Sequence, residues 1–304
     1  MVNETQHIPV LLEETLNALA IKDEEFYIDA TFGLGGYSKA ILEQNNCKVL
    51  AIDRDPETRQ VAQQLKEKYR NRFFFINGKF SEIIKFVDDL NIDKVAGVAF
   101  DLGVSSPQLD QKHRGFSFRL DGPLDMRMSK DGATAEEFIN LVDEKTLANV
   151  IYELGDEVFS RRIAKQIVKE RSLNKITNTM QLASIVRRCI PKKHHKTDPS
   201  TKTFQAIRMY LNEEVSELEN GLIAAEKVLK PNGILTVVSF HSIEDRIIKK
   251  FFINCSQNNS TSRHSPDVTI KYHSLKVITK KPILPSSKEI FLNKRSRSAK
   301  LRVA

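Results

Sequence analysis

The sequence predicts an α/β protein whose mostly parallel sheet is interrupted by an all-helical insertion. Three observations carry that prediction. Strand-like and helix-like runs alternate through the first hundred residues, which is the signature of βαβ units and a parallel sheet covered on both faces. The alternation then stops, and residues 134–188 read as helix throughout. A strand-like run, Ile234-Leu235-Thr236-Val237-Val238-Ser239, then resumes the first pattern.

In chain order, a helical segment at 10–19 precedes a short apolar strand at 26–30, a helix at 37–43 and a strand at 48–52. A helix at 56–69 opens on Pro56, which suits a first helical turn because its missing N–H would be unpaired there anyway. A strand at 72–76, a helix at 80–90 and a strand at 95–100 complete the first half. Residues 108–132, rich in Gly, Asp, Arg and Pro, read as a long ordered loop. Thr134 with Glu137 forms a capping-box pattern at the start of the helical stretch. The polar, basic run 191–201 reads as a loop, and an amphipathic helix over 203–229 stops at the turn signal Lys230-Pro231-Asn232-Gly233. A helix at 243–252, a Ser/Asn-rich run at 256–267 and strand candidates at 275–279 and 299–303 close the chain. The expected domains are a discontinuous sheet domain, 1–110 with 205–304, and an insertion at 111–204.

Composition narrows the function. No apolar run approaches the roughly 20 residues that span a bilayer, and the first residues lack the basic-then-apolar layout of a signal peptide. Cys47, Cys189 and Cys255 are far apart, odd in number and outside any metal-ligand spacing. His194-His195 lacks partnering Cys or carboxylate spacing, so no metal site is expected. These features favour the reducing cytoplasm and no membrane. The net charge of +8 is concentrated at Lys192, Lys193, Lys196 and Lys202, and again at Lys294, Arg295, Arg297, Lys300 and Arg302. Such clusters fit a phosphate-backbone partner or, equally, two solvated loops.

The strongest chemical signal is Tyr27-Ile28-Asp29-Ala30-Thr31-Phe32-Gly33-Leu34-Gly35-Gly36-Tyr37-Ser38, followed by Lys48-Val49-Leu50-Ala51-Ile52-Asp53. Strand, glycine turn, helix, strand and acid is the layout of a nucleoside-cofactor site, with Asp53 placed to accept two ribose hydroxyls. Asp55 precedes Pro56 and suits the following helix cap, which leaves Asp53 for a ligand. A dinucleotide turn needs G-x-G-x-x-G, and its third glycine would fall at Ser38. That mismatch favours S-adenosylmethionine, which has no pyrophosphate to cradle, over a nicotinamide cofactor.

Further on, Asp101-Leu102-Gly103-Val104-Ser105-Ser106-Pro107-Gln108 ends the fourth strand, where a parallel α/β enzyme places reacting groups; an ordinary loop with Asp101 as a cap is the alternative. In residues 114–128, Phe116 and Phe118 stand among Arg114, Arg119 and Arg127 and are candidates to hold a nucleic-acid base. The alternative is that Phe116, Leu124 and Met126 pin a surface loop to a core. His241, at the end of the fifth strand, is more simply a structural hydrogen-bonder than a base.

These motifs, in this order, closely resemble one family, the bacterial 16S ribosomal RNA cytosine-N4 methyltransferases. The resemblance runs through residues 7–14, 27–38, 51–56, 101–109, 114–128, 203–208, 239–246 and 297–302. It implies a class I S-adenosylmethionine-dependent methyltransferase, Rossmann-like, with an inserted helical domain for RNA recognition. It also implies methyl transfer from S-adenosyl-L-methionine to a cytosine N4 amine of 16S ribosomal RNA, in an assembled or assembling small subunit. Carried over by position, the cofactor contacts are Gly35, Gly36, Tyr37, Asp53, Phe80, Asp101 and Gln108. Tyr37 stands where the family usually has histidine, so its contact is expected through the backbone. Asp101 and Ser105 are the candidate catalytic groups. Arg114, Phe116, Phe118, Arg127, Lys192, Lys193 and Lys196 are the candidate RNA contacts.

Overall fold

The computed structural model describes residues 9–191, 198–256 and 274–304. The chain forms two compact units, one from Met1–Gly103 with Ser216–Ala304 and the other from Val104–Val215.

The first unit is built on six strands: β1 (Phe26–Asp29), β2 (Lys48–Asp53), β3 (Phe73–Asn77), β4 (Val95–Asp101), β5 (Leu229–Ser239) and β6 (Lys300–Val303). Their order is β3-β2-β1-β4-β5-β6, parallel throughout except for β6, which runs antiparallel to β5. The order reverses between β1 and β4, so the crevice beyond the carboxyl ends of those strands is where such a sheet binds ligands. Alternation along the strands fills two layers. Ile28, Leu50, Ile52, Val98 and Phe100 meet Ile83, Leu218, Leu222 and Ile248 on one face. Tyr27, Val49, Ala51 and Ala99 meet Leu19, Ile41, Leu42 and Ala62 on the other. Each Val, Leu, Ile or Phe side chain buried this way contributes roughly 1.5–3 kcal/mol.

The second unit packs helices Ala135–Leu141, Glu144–Gly155, Ser160–Leu173, Thr179–Cys189 and Ser200–Leu211. Leu147, Ile151, Ile163, Ile167, Leu182, Val186, Phe204 and Ile207 share their core. The Thr134–Glu137 capping box closes as read: the Glu137 N–H donates to Thr134 Oγ1 at 3.1 Å and the Thr134 N–H to Glu137 Oε2 at 2.8 Å.

The differences from the sequence reading have physical causes. The helical unit begins at Val104 rather than 111 and ends at Val215 rather than 204. Phe204, Ala206 and Ile207 belong to its core, which draws helix Ser200–Leu211 into it. The helix expected over 203–229 is two, Ser200–Leu211 and Glu214–Val228. The break lies at Asn212, buried, which accepts the Met128 N–H and donates to Met126 O, both at 2.8 Å, and at Glu213, whose φ is 53°. The Lys230–Gly233 turn lies inside β5: pairing jumps from Leu229 opposite Val95 to Ile234 opposite Gly97, so the four residues between loop out of register. Residues 275–279 form no strand, because the N–H groups of Ile278 and Thr279 both converge on Val303 O rather than stepping along a ladder. The stretch expected as loop from 108 begins inside helix Ser106–Asp110 and passes through a short 3₁₀ turn, Lys112–Arg114.

Candidate active site

Three parallel strands end on acids: β1 on Asp29, β2 on Asp53 and β4 on Asp101. Each does something different. Asp29 is fully buried and organises the glycine turn: Oδ2 accepts the Ser38 N–H at 3.0 Å and the Ser38 hydroxyl at 2.7 Å, and Oδ1 accepts the Thr31 N–H at 3.3 Å. Burial pushes its carboxyl up to about 6, against the opposing effect of the Ser38 hydroxyl. The sequence reading used Asp29 only as the end of a strand; the same strand-end placement that marked Asp53 marks it as well.

Asp53 accepts the Gly33 N–H at 2.7 Å on Oδ2 and the Asp55 N–H at 2.8 Å on Oδ1. Each oxygen retains further acceptor capacity, so the carboxylate is held by the backbone and still available to two hydroxyls. Burial, partly offset by the Asp55 and Gly33 N–H groups, raises it to about 6. Asp55 caps the turn at Pro56–Thr58, accepting the Glu57 N–H at 3.0 Å, as the sequence reading assigned.

Asp101 is held by its backbone, whose N–H donates to Thr31 Oγ1 at 2.6 Å. Its Oδ1 is out of contact with solvent and has no hydrogen-bond partner among the described residues. Burial, and then the charges of Asp29, Glu244 and Glu289, push its carboxyl well above the usual range. A buried, unpartnered carboxyl among like charges is costly unless a ligand completes it.

The glycines are required chiefly by the chain itself. Gly35 sits at φ 75°, and a Cβ there would meet the Phe32 ring at 2.8 Å; at Gly36 it would meet Pro9 Cγ at 2.1 Å. Tyr37 is buried, and its hydroxyl donates to Val10 O and lies 3.3 Å from Thr15 Oγ1. Its side chain therefore secures the N-terminal segment, leaving the backbone of the first helical turn as the part able to face a ligand. Phe80 opens the 3₁₀ turn Phe80–Glu82 and sets its ring edge-on to Phe100 at 5.3 Å, with Gly221 leaving room beneath it. His241 Nε2 lies 3.0 Å from Glu244 Oε1.

Within the helical unit, Ser105 and Gln108 form a reciprocal cap on helix Ser106–Asp110, with the Ser105 N–H donating to Gln108 Oε1 at 3.0 Å. These polar groups are engaged in closing a helix.

The residues of the expected base clamp differ in exposure. Phe116 is 6 % exposed and belongs to the helical core with Leu124 and Met126, the alternative weighed from the sequence. Arg114 is 3 % exposed, lies over the Phe116 ring and donates to the carbonyls of Arg127 and Met128. Both side chains are turned into the protein. Arg127 pairs with Asp125 at 2.9 Å and donates to Gly132 O at 3.1 Å, stapling the same loop. Phe118 remains half-exposed, edge-on to Phe204 at 5.3 Å and beneath the Arg187 guanidinium. Lys192, Lys193 and Lys196 lie outside the described residues.

A doubly wound sheet, a glycine-turned helix start and acids ending the strands on both sides of the switch point define an α/β protein of the nucleoside-cofactor class. The chain belongs to the MraW methylase family, which it matches over residues 4–304. It is 52 % identical over 301 residues to the ribosomal RNA small subunit methyltransferase H of Rickettsia bellii strain RML369-C, covering 98 % of both chains. The protein of the same name from Rickettsia felis is also 52 % identical, over 98 % of this chain and 97 % of that one. The solved structure of an rRNA methylase from Streptococcus thermophilus aligns over 95 % of this chain and 92 % of that one with a TM-score of 0.39 at 11 % identity, a likeness too slight to carry any argument.

Proposed function

We propose that this protein transfers a methyl group from S-adenosyl-L-methionine to the exocyclic N4 amine of a cytosine in 16S ribosomal RNA of the small ribosomal subunit, and that it does so in the cytoplasm. The observation that carries the reading is the acidic carboxyl edge of the sheet. Asp29, Asp53 and Asp101 end three strands, and the charges of Glu244 and Glu289 reach Asp101 as well. An anionic pyrophosphate is repelled by such an edge. A sulfonium beside a ribose complements it, because the cation relieves the like-charge penalty and the sugar hydroxyls meet Asp53. The residues present thus fit S-adenosylmethionine, and a nicotinamide dinucleotide fits them poorly.

When bound, that cofactor would supply an electrophilic methyl group on a sulfonium, with the neutral thioether as the leaving group. Asp53 holds the ribose and the first turn after Gly35 supplies backbone N–H groups. The target amine is a weak nucleophile, because its lone pair is delocalised into the ring, and becomes acidic only as the new N–C bond forms. Asp101 Oδ1, lacking a hydrogen-bond partner among the described residues, accepts the proton that N4 then releases. The helical unit, with Phe118 and the basic residues Lys192, Lys193 and Lys196, serves RNA recognition, and the base leaves its stack to reach the methyl.

The test is incubation of the protein with labelled S-adenosylmethionine and small subunits from cells lacking it, followed by mass mapping of the RNA. One methyl on cytosine N4 is expected. No incorporation, or incorporation at another atom, overturns the reading.

A further inference from the structure

The C-terminal segment carries a surface that the methyl-transfer site does not account for. Helix Ser287–Leu292 exposes Phe291 and Leu292, 83 % and 64 % accessible, and the 3₁₀ turn Lys294–Ser298 follows it directly. Lys288, Lys294, Arg295 and Arg297 are all exposed around these two apolar side chains. Among the described residues, Lys288, Lys294 and Arg297 have no ion-pair partner. Lys300 and Arg302 differ: both pair with Asp245, at 3.0 and 2.7 Å. Phe291 and Leu292 are adjacent and both exposed, so the helix presents them together, beside the cations, rather than as one isolated apolar side chain.

Topology fixes where this surface lies. Strand β6 is antiparallel to β5, with Lys300 opposite Ser239, the last residue of β5. The residues just before Lys300 therefore stand at the carboxyl edge of the sheet, the edge that Asp53 and Asp101 occupy. The helix is pinned there from its other side. Glu289 Oε1 accepts the Leu11 N–H at 2.8 Å, and Val10, the preceding residue, accepts the Tyr37 hydroxyl. Glu289 also contributes to the charge felt by Asp101. Phe291 and its cations are thus mounted on the rim of the candidate active site, on a helix tied to the cofactor turn.

We propose that this rim is a second RNA-binding element, in which Lys288, Lys294 and Arg297 bind backbone phosphates and Phe291 stacks on a base flanking the target cytosine. The charge argues for RNA: unpaired cations around an aromatic suit a phosphate backbone with exposed bases, and an apolar protein partner would have to desolvate them without compensation. The inference rests on the proposed methylation of RNA and adds the place where the strand is held.

The experiment measures binding, so that it is independent of catalysis. Small subunits isolated from cells lacking the protein are titrated with the wild type and with Phe291→Ala, Phe291→Tyr, Phe291→Leu and Lys294→Ala/Arg297→Ala variants, over a range of salt. Phe291→Ala is expected to weaken binding about tenfold, the scale of one lost base stack. Phe291→Tyr restores most of it and Phe291→Leu does not. The double cation variant lowers the slope of log affinity against log salt by roughly 1.5, from about 0.7–0.9 for each phosphate released. Unchanged affinity with Phe291→Ala and an unchanged slope with the cation pair overturn the proposal. Full rescue by Phe291→Leu overturns it too, since it indicates apolar packing on a protein. Calorimetric titration of the wild type with S-adenosylmethionine is run alongside. A wild type that takes up none removes the methyl-transfer reading, an outcome distinct from any change in the rim variants.

Discussion

At the scale of single residues the site is set by where burial puts carboxylates. Asp29 and Asp53 are both held near 6. Because folding raises these groups above the ordinary 3.8, the folded state binds more protons than the unfolded one between those values. Their contribution to stability is complete below about pH 4 and is lost as pH rises through about 6. Cofactor binding has the opposite dependence, since Asp53 must be ionised to accept two hydroxyls. The rise in thermal midpoint caused by S-adenosylmethionine is therefore expected to grow from pH 5 to pH 7, roughly following a group that titrates at about 6. Asp53→Asn should flatten that dependence and weaken the cofactor by about 10-fold or more, as expected for a lost charged hydrogen bond. Asp101→Asn replaces an acceptor with a donor-bearing amide. Turnover should drop about 100-fold, the lower range for a lost proton acceptor, with cofactor affinity far less affected. If turnover and cofactor affinity fall together, Asp101 serves only the cofactor.

At the scale of elements, the glycine turn is the most constrained piece of chain. Its geometry is fixed from several sides: Asp29 grips Ser38, Phe32 fills the space beside Gly35, and Pro9 lies against Gly36. Gly36→Ala is expected to displace the N-terminal segment, because its Cβ would lie 2.1 Å from Pro9 Cγ. The cost should be about 1–3 kcal/mol of stability, as for other overpacked sites. Denaturant unfolding measures the loss, and a titration with cofactor shows whether the displaced turn still binds. The glycine pattern itself was legible in the sequence, but its cause was not. Ligand approach explained the glycines adequately on paper, whereas the atoms that exclude a side chain there belong to Phe32 and Pro9. The same limit applies to Phe116 and Arg114. An aromatic among arginines has one composition whether it faces solvent or core, and only the packing of Leu124 and Met126 around it decided the matter.

At the scale of the whole molecule, the net charge of +8 is unevenly spread, and the clearest concentration in sequence is the run containing Lys192, Lys193 and Lys196. If that run binds phosphates, replacing the three lysines with alanine lowers the salt slope of small-subunit binding by roughly 2–3, at about 0.7–0.9 for each contact, and leaves the thermal midpoint unchanged. An unchanged slope makes it a solvated loop. The division into units follows from separate cores. The sheet closes over two layers drawn from both ends of the chain, while residues 104–215 gather their apolar side chains into one cluster of their own. The sequence showed where alternation stopped and resumed. It misplaced the seams because helix Ser200–Leu211 continues the helical periodicity of its neighbour, and only the burial of Phe204 and Ile207 tells which core it joins.

By itself the sequence determined the alternating order of strands and helices, the acids that end the strands, the absence of a dinucleotide fingerprint and the family to which the chain belongs. These are encoded in local spacing, which a linear pattern preserves. Tertiary structure alone decided which carboxyl is left without a partner, which arginines and aromatics are buried, and that a basic C-terminal helix returns to the carboxyl edge of the sheet. Burial and hydrogen-bond satisfaction are set by neighbours distant in sequence: Glu289 meets Leu11 and β6 lies beside β5 only once the chain has folded.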